Sequence, residues 1–263
     1  MTKVARVCVL GPSGRMGRAV IEAANGRSDV RITAAVDRAD APGLGGEVVP
    51  GVLATAEFAA ALDASDVYVD FTTPGATRIA AQTARSRRHA AVIGTTGLTA
   101  ADELEINALA AVAPVVVAAN FSLGVNLLLG MVRTAARALG PDWDAEVVET
   151  HHRGKRDAPS GTALMIARAI AAGHESSYDQ VKRHSRDGDI GARPRGEIGV
   201  QSLRGGDVVG EHTAQFFGPA ERIEITHRAT SRAIFAGGAL RAAAWVVGMP
   251  PGRYDMLAVL GLS

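Results

Sequence analysis

The densest group of reactive side chains lies in residues 146–163, EVVETHHRGKRDAPSGTA. It supplies His151, His152 and Lys155, flanked by Arg153 and Arg156, ahead of a turn of Pro159, Ser160, Gly161 and Thr162 that enters a helical stretch. An imidazole titrates near neutrality and suits proton transfer. Lys155, four residues after His151, can neutralise an acidic substrate or deliver a proton. Ser160 has the form of a helix N-cap, which leaves the amides of Gly161 and Thr162 to bind an anion, carboxylate as readily as phosphate. Plainer readings stand beside these: the two histidines as hydrogen-bonding surface groups at a strand end, and the arginines as loop solvation. Glu149, His151, His152 and Asp157 are also potential zinc ligands, but partner cysteines and a recognised metal spacing are missing, so no metal is expected. Only three of the 28 Lys and Arg residues are lysines, Lys3, Lys155 and Lys182, which draws attention to Lys155.

A second chemical signal opens the chain. The apolar run VARVCVL leads into Gly11, Pro12, Ser13, Gly14, Arg15, Met16 and Gly17, and an amphipathic stretch follows. Glycines between a strand and a helix let a pyrophosphate approach the free amides of the helix start. The spacing is GxxGxxG rather than GxGxxG, so context matters. Asp37, 26 residues after Gly11, ends the second strand candidate and suits a ribose 2′-hydroxyl. Arg38 next to it can pair with a 2′-phosphate, so both NADH and NADPH stay open. The competing reading is a glycine-rich turn with a capping acid. Two further segments, Asp70 to Pro74 and Gly94 to Gly97, fall at equivalent strand ends, where ligands of parallel sheets bind.

These groups need a frame. Strands are predicted at 6–10, 31–36, 67–71, 90–93 and 115–118, with helices at 15–25, 75–87 and 100–111 between them. In the first helix Met16, Ala19, Val20 and Ala23 share a face, and Thr99 with Asp102 has the form of a helix start. Near-continuous apolar strands alternating with helices predict a parallel sheet covered on both faces. Beyond Asn120 a long helix is predicted at 122–140, a strand at 143–149, a helix at 161–172, and a loop or arm at 176–195. Strands at 197–203, 207–217 and 221–228 follow, turned at Gly205 with Gly206 and at Gly218 with Pro219. They predict a largely antiparallel sheet. Helices at 231–247 and 254–261 close the chain.

The bulk numbers agree with an ordinary globular protein: 263 residues, 47% hydrophobic and 21% charged. A net charge of +1 argues against an extended nucleic-acid surface. Cys8 is the single cysteine, so an intramolecular disulfide is impossible. With no signal-peptide core before Gly11 and no window of about 18 uncharged apolar residues, a cytoplasmic protein without membrane or nucleic-acid partners is expected.

In residues 146–163 the chain resembles the dihydrodipicolinate reductase (4-hydroxy-tetrahydrodipicolinate reductase) family of lysine and diaminopimelate biosynthesis. Every fixed place of that family's signature is filled: Glu146, Val147, Glu149, His151, Lys155, Asp157, Pro159, Ser160, Gly161, Thr162 and Ala163. The likeness runs on through Gly14 to Gly17, Asp70 to Thr72, Gly94 to Gly97, Ala119 to Ser122 and Gly210 to Thr213.

The resemblance implies an α/β fold with a Rossmann-like cofactor domain over 1–121 and about 231–263. An α+β catalytic and oligomerisation domain with a mixed, largely antiparallel sheet would cover 122–230. It implies NADH or NADPH as cofactor, a small dicarboxylate substrate and a homotetramer joined through the catalytic sheets. Gly11, Pro12, Ser13, Gly14, Arg15 and Met16 would hold the pyrophosphate, with Gly17 closing the turn. Asp37 and Arg38 would address the adenosine ribose. Phe71, Gly94, Thr95, Thr96, Ala118, Ala119, Asn120 and Phe121 would complete the cofactor site. His151 would be the proton-transfer histidine and Lys155 the proton donor, while His152, Lys155, Ser160, Gly161 and Thr162 would hold the substrate. The implied reaction is hydride transfer to ring C4 of the dehydrated substrate, followed by protonation. Hinges are expected at 120–123 and 229–231. The rivals are another nicotinamide-dependent reductase of a small acid, and a cofactor-sensing protein on the same fold.

Overall fold

The computed structural model describes residues 4–262; residues 1–3 and 263, the outermost ends of the expected cofactor domain, lie outside the described residues. The chain divides into two compact units, one formed up to Leu123 and again from Ala233 onward, the other spanning Gly124–Arg232.

The first unit is built on β1 (Ala5–Leu10), β2 (Val30–Val36), β3 (Glu47–Val49), β4 (Val52–Thr55), β5 (Val67–Asp70), β6 (Ala90–Ile93), β7 (Pro114–Val117) and β13 (Gly252–Tyr254). Their order is β13-β7-β6-β5-β1-β2-β4-β3, parallel throughout except for the β3–β4 pair. Alternate residues of each strand feed opposite faces, as period-two geometry requires. Val7, Val9, Val67, Val69, Val92 and Val116 enter one core with the C-terminal helix α8 (Ala233–Val246), while Cys8, Leu10, Tyr68, Ala91, Ile93 and Val115 enter the other. The Cys8 thiol is fully buried there, and burial pushes its pKa up to about 12.

The helices form where the sequence places them. In α1 (Arg15–Ala24), Met16, Ala19, Val20 and Ala23 face the core together. Thr73 caps α3 (Pro74–Arg87), and Thr99 with Asp102 forms a complete capping box on α4 (Ala100–Ala110), an arrangement worth about 1 kcal/mol. The short β3, β4, α2 (Phe58–Asp63) and β13 have no counterpart among the sequence expectations. Each is too short to show a period, and β4 joins β2 through only two residue pairs.

The second unit packs α5 (Leu123–Leu139) and α6 (Gly161–Gly173) against one face of a five-stranded mixed sheet. That sheet comprises β8 (Asp144–His151), β9 (Lys182–Arg183), β10 (Ile198–Arg204), β11 (Gly210–Gly218) and β12 (Glu221–Ala229). Its order is β12-β11-β8-β10-β9, and most of its paired residues lie in the antiparallel β12–β11–β8 ladders. One expectation is corrected here: Gly205 and Gly206 do not turn β10 back onto β11. The two strands flank β8, with β10 parallel to it and β11 antiparallel. The link between them wraps the end of β8 instead, through Gly205 N–H to His151 O, Arg153 N–H to Gly206 O and His152 N–H to Val208 O. Gly218 and Pro219 do turn β11 onto β12.

Residues 176–195 are not wholly a loop, since they contain the single turn α7 (Tyr178–Val181) and β9. The irregular remainder is held by ion pairs: Arg186 and Arg193 both reach Glu146 on β8, and Arg186 also binds Glu197 at 2.6 Å. Among the described residues no helix is long and apolar enough to cross a membrane.

Candidate active site

In the first unit the strand order reverses at β1, whose neighbours are β2 and β5, and ligands of such sheets bind outside the strand ends at that point. Gly11, Pro12, Ser13, Gly14, Arg15, Met16 and Gly17 occupy this place. Gly11 turns with φ +67°, and its carbonyl accepts from Gly14 N–H at 2.9 Å. A Cβ on residue 17 would lie 2.1 Å from Gly11 O, so only glycine lets α1 start this close to the turn. Gly14, the N-cap of α1, supplies no side-chain cap.

Asp37 closes the loop from the side. Its carboxylate accepts from Ser13 N–H at 3.1 Å and from Arg38 N–H at 2.9 Å. Arg38 pairs with Asp40 at 3.1 Å on the surface, where such a pair is worth little and leaves the guanidinium free to exchange partners.

The neighbouring strand ends are tied together by one buried carboxylate. Asp70 accepts from Thr72 N–H and Oγ1 at 2.8 and 2.6 Å, from Thr77 Oγ1 at 2.7 Å and from Thr95 Oγ1 at 3.3 Å. This fixes the β5 and β6 ends to α3. Phe71 meets Phe121 edge to face at 5.4 Å, and its ring covers Gly94, where a Cβ would fall 2.1 Å from it. Thr96 and Ala119 are exposed, Thr95 and Asn120 buried, and Ala118 N–H donates to Ile93 O. Asn120 Oδ1 accepts from Ser122 N–H at 2.8 Å. All seventeen residues expected at the cofactor therefore lie on the carboxyl side of the same sheet.

In the second unit, β8 carries Ala145, Val147, Glu149 and His151 on its buried face. Glu149 is fully buried beside the N-terminus of α6. Its Oε2 lies 2.6 Å from His151 Nδ1, and Arg204 donates to both of its oxygens at 2.9 Å. Ser160 N–H adds a further bond at 3.1 Å. Burial alone would raise this carboxyl, but the hydrogen bonds from Arg204, His151, Ser202 and Ser160 outweigh it and hold the pKa down at about 2.

Ser160 caps α6 by accepting from Ala163 N–H at 3.2 Å, and its hydroxyl also shares a 3.0 Å hydrogen bond with His212 Nε2. The His212 ring stands edge-on to His151 at 5.1 Å. Burial lowers the His212 pKa to about 4, aided by His151, so this imidazole is neutral at pH 7. A Cβ on residue 210 would come within 2.9 Å of His151 Nε2, so glycine avoids a clash with that nitrogen.

Lys155 pairs with Asp157 at 2.9 Å, a bond that draws the Asp157 carboxyl below its ordinary value. His152 fixes the same loop through its backbone, donating to Val208 O and accepting from Lys155 N–H. Gly161 and Thr162 form the first turn of α6. The structure thus gathers His151 and Ser160 into one network, with Lys155 and His152 on the loop between them.

Sequence reasoning gave no role to Arg204 or His212, and gave Glu149 none beyond that of a potential metal ligand, although it is a fixed place of the family signature. Glu149 carries a legible signal, because an acid two residues before a histidine on one strand shares its face. Arg204 does not, since only the β8–β10 register sets it opposite His151.

Comparison with known proteins covers nearly the whole chain. Residues 5–121 match the family model described as dihydrodipicolinate reductase, N-terminus, and residues 124–260 match that for its C-terminus. A 4-hydroxy-tetrahydrodipicolinate reductase of Alkalilimnicola ehrlichii is 47% identical over 98% of this chain and 99% of its own. One of Acinetobacter baumannii strain AYE is 45% identical over 100% and 98%. A solved dihydrodipicolinate reductase of Paenisporosarcina sp. TG-14, bound to dipicolinate, superposes with a TM-score of 0.82 at 26% identity, covering 97% of this chain and 98% of that one. The fold alone is shared with a C. glutamicum DAP dehydrogenase, at a TM-score of 0.54 and 16% identity over 100% and 96% of the two chains. With both halves matched in order along one chain, this protein belongs to the dihydrodipicolinate reductase family, the NAD(P)H-dependent reductases of diaminopimelate and lysine biosynthesis.

Proposed function

We propose that the chain reduces the dehydrated ring of 4-hydroxy-tetrahydrodipicolinate at C4, giving tetrahydrodipicolinate, with the proton supplied through Lys155 and His151. The observation that carries this reading is the second-unit network, in which His151 rests on a buried carboxylate that also binds the capping residue of α6. The first unit is the cofactor domain in this reading, and the second holds the substrate. Gly11, Gly14 and Gly17 let the turn close tightly on the start of α1, and amides at a helix start suit a pyrophosphate. Reduced nicotinamide supplies the hydride when bound. Gly11 to Met16 hold the pyrophosphate, and Asp37 and Arg38 address the adenosine ribose. Phe71, Gly94 to Thr96 and Ala118 to Phe121 complete that site.

The start of α6 at Gly161 and Thr162, with Ser160, receives a substrate carboxylate and orients the ring. His152 and Lys155 offset the second negative charge. Negative charge develops on the ring after hydride arrives, and the Lys155 ammonium both steadies it and lies within the loop that can deliver a proton. Assembly as a homotetramer through the second-unit sheet follows from family resemblance, and exposed Leu203, on the face of that sheet away from the helices, suits such a contact.

The test is oxidation of NADH and NADPH by the purified chain with freshly generated substrate, followed by nicotinamide absorbance. Rapid substrate-dependent oxidation is expected with at least one cofactor. No oxidation, with substrate generation verified and cofactor binding confirmed, overturns the assignment in favour of another small acid.

A further inference from the structure

Beyond the groups already given roles, the second unit contains a charged pair that the proposed reaction does not use. Glu149 has no solvent exposure, and the Arg204 side chain is about one-fifth exposed. Burying a carboxylate is costly unless it is paired and hydrogen-bonded. Glu149 meets that condition in a directional way: Arg204 donates to both oxygens, Ser160 N–H binds Oε1, Ser202 donates as well, and Oε2 also meets His151 Nδ1.

An ionised carboxylate only accepts hydrogen bonds. His151 Nδ1 must therefore carry a proton and donate it to Glu149 at 2.6 Å, a short contact in line with a charge-assisted bond. This leaves Nε2 as the nitrogen whose protonation can change. A side chain at residue 210 would crowd this nitrogen, and glycine there does not. Arg204 also donates to Asp157 O at 2.7 Å, so the same guanidinium braces the loop that carries Lys155.

We propose that Glu149 and Arg204 are positioning residues that set the tautomer of His151 and so make Nε2 its proton-transferring atom. Through Ser160 N–H, the same carboxylate holds the start of α6 in register with that nitrogen. This inference rests on the reading of His151 as a proton-transfer group.

The test uses the full chain with its cofactor. Nitrogen-15 spectra of the imidazoles, taken at a pH about two units above the ordinary histidine pKa, should show His151 protonated at Nδ1. In Glu149→Gln the amide can donate to Nδ1, and the proton should move to Nε2. Turnover should fall about 100-fold, the scale of a lost proton-transfer group, while cofactor affinity stays within about twofold because its proposed site lies in the other unit. If Glu149→Gln does not fold, Arg204→Gln serves instead, with about a 10-fold loss of kcat and a mixed tautomer population expected.

A folded Glu149→Gln, or Arg204→Gln in its place, that keeps the Nδ1–H tautomer and near-normal kcat overturns the proposal. His151→Ala separates the two levels. If it retains turnover, the proton-transfer reading itself fails and this inference with it. If it abolishes turnover while the positioning variants do not, only the inference fails.

Discussion

Lowering the pH should destabilise the second unit through one buried imidazole. His212 is held neutral by burial among His151, His227, the Ser160 hydroxyl, Glu149 and Lys155, and among the described residues its Nδ1 has no hydrogen-bond partner. Its pKa is about 4 in the folded chain against an ordinary value of 6.5. The folded value is the lower one, so between the two the unfolded chain binds a proton that the folded chain refuses. Stability from this group is full above the unfolded value and is lost as pH falls toward the folded one. At about 1.4 kcal/mol per pKa unit, most of a gap of about 2.5 units is expressed between pH 7 and pH 4.5, a loss of about 2–3 kcal/mol. Urea unfolding at these two pH values should show the loss in the wild-type chain. His212→Gln, whose amide nitrogen can reach Ser160 Oγ, should lose about 2–3 kcal/mol less over the same interval. Titratable groups away from residue 212 contribute equally to both proteins, so the difference reports on residue 212 and the groups coupled to it. Equal pH slopes in wild type and variant would refute the reasoning.

Lys155→Ala should lower kcat by about 100-fold or more and leave the dissociation constant for NADH within about twofold. Equal losses in both, measured by steady-state kinetics and fluorescence titration, would move Lys155 out of the reaction and into a structural role. Gly94→Ala places a methyl group 2.1 Å from the Phe71 ring. The ring must swing away from Phe121, so dinucleotide affinity should fall about 10-fold and stability by about 1–3 kcal/mol. Calorimetric binding together with thermal unfolding checks both, and unchanged affinity would remove Phe71 from the cofactor site.

The sequence was informative wherever a local rule governs. Alternating apolar strands predicted the parallel sheet, and the face shared by Met16, Ala19, Val20 and Ala23 packs as its 3.6-residue period requires. Thr99 and Ser160 were readable as caps because capping depends on residues only three positions apart. Residues 146–163 stood out from residue types alone as the densest group of reactive side chains, and the signature they fill led to the family that the comparisons establish.

Tertiary structure decided what depends on pairing between distant strands. Gly205 and Gly206 look like a hairpin turn, yet β8 enters between the strands they join, because β10 gains a partner on β8 for its whole length. That insertion brings Arg204 to Glu149 across 55 positions and His212 to Ser160 across 52. The sequence by itself determined which groups are present, which elements carry them and which lie on a shared face. Only the folded sheet decided which nitrogen of His151 meets the Glu149 carboxylate, since hydrogen-bond direction depends on neighbours set by register as well as by adjacency along the chain.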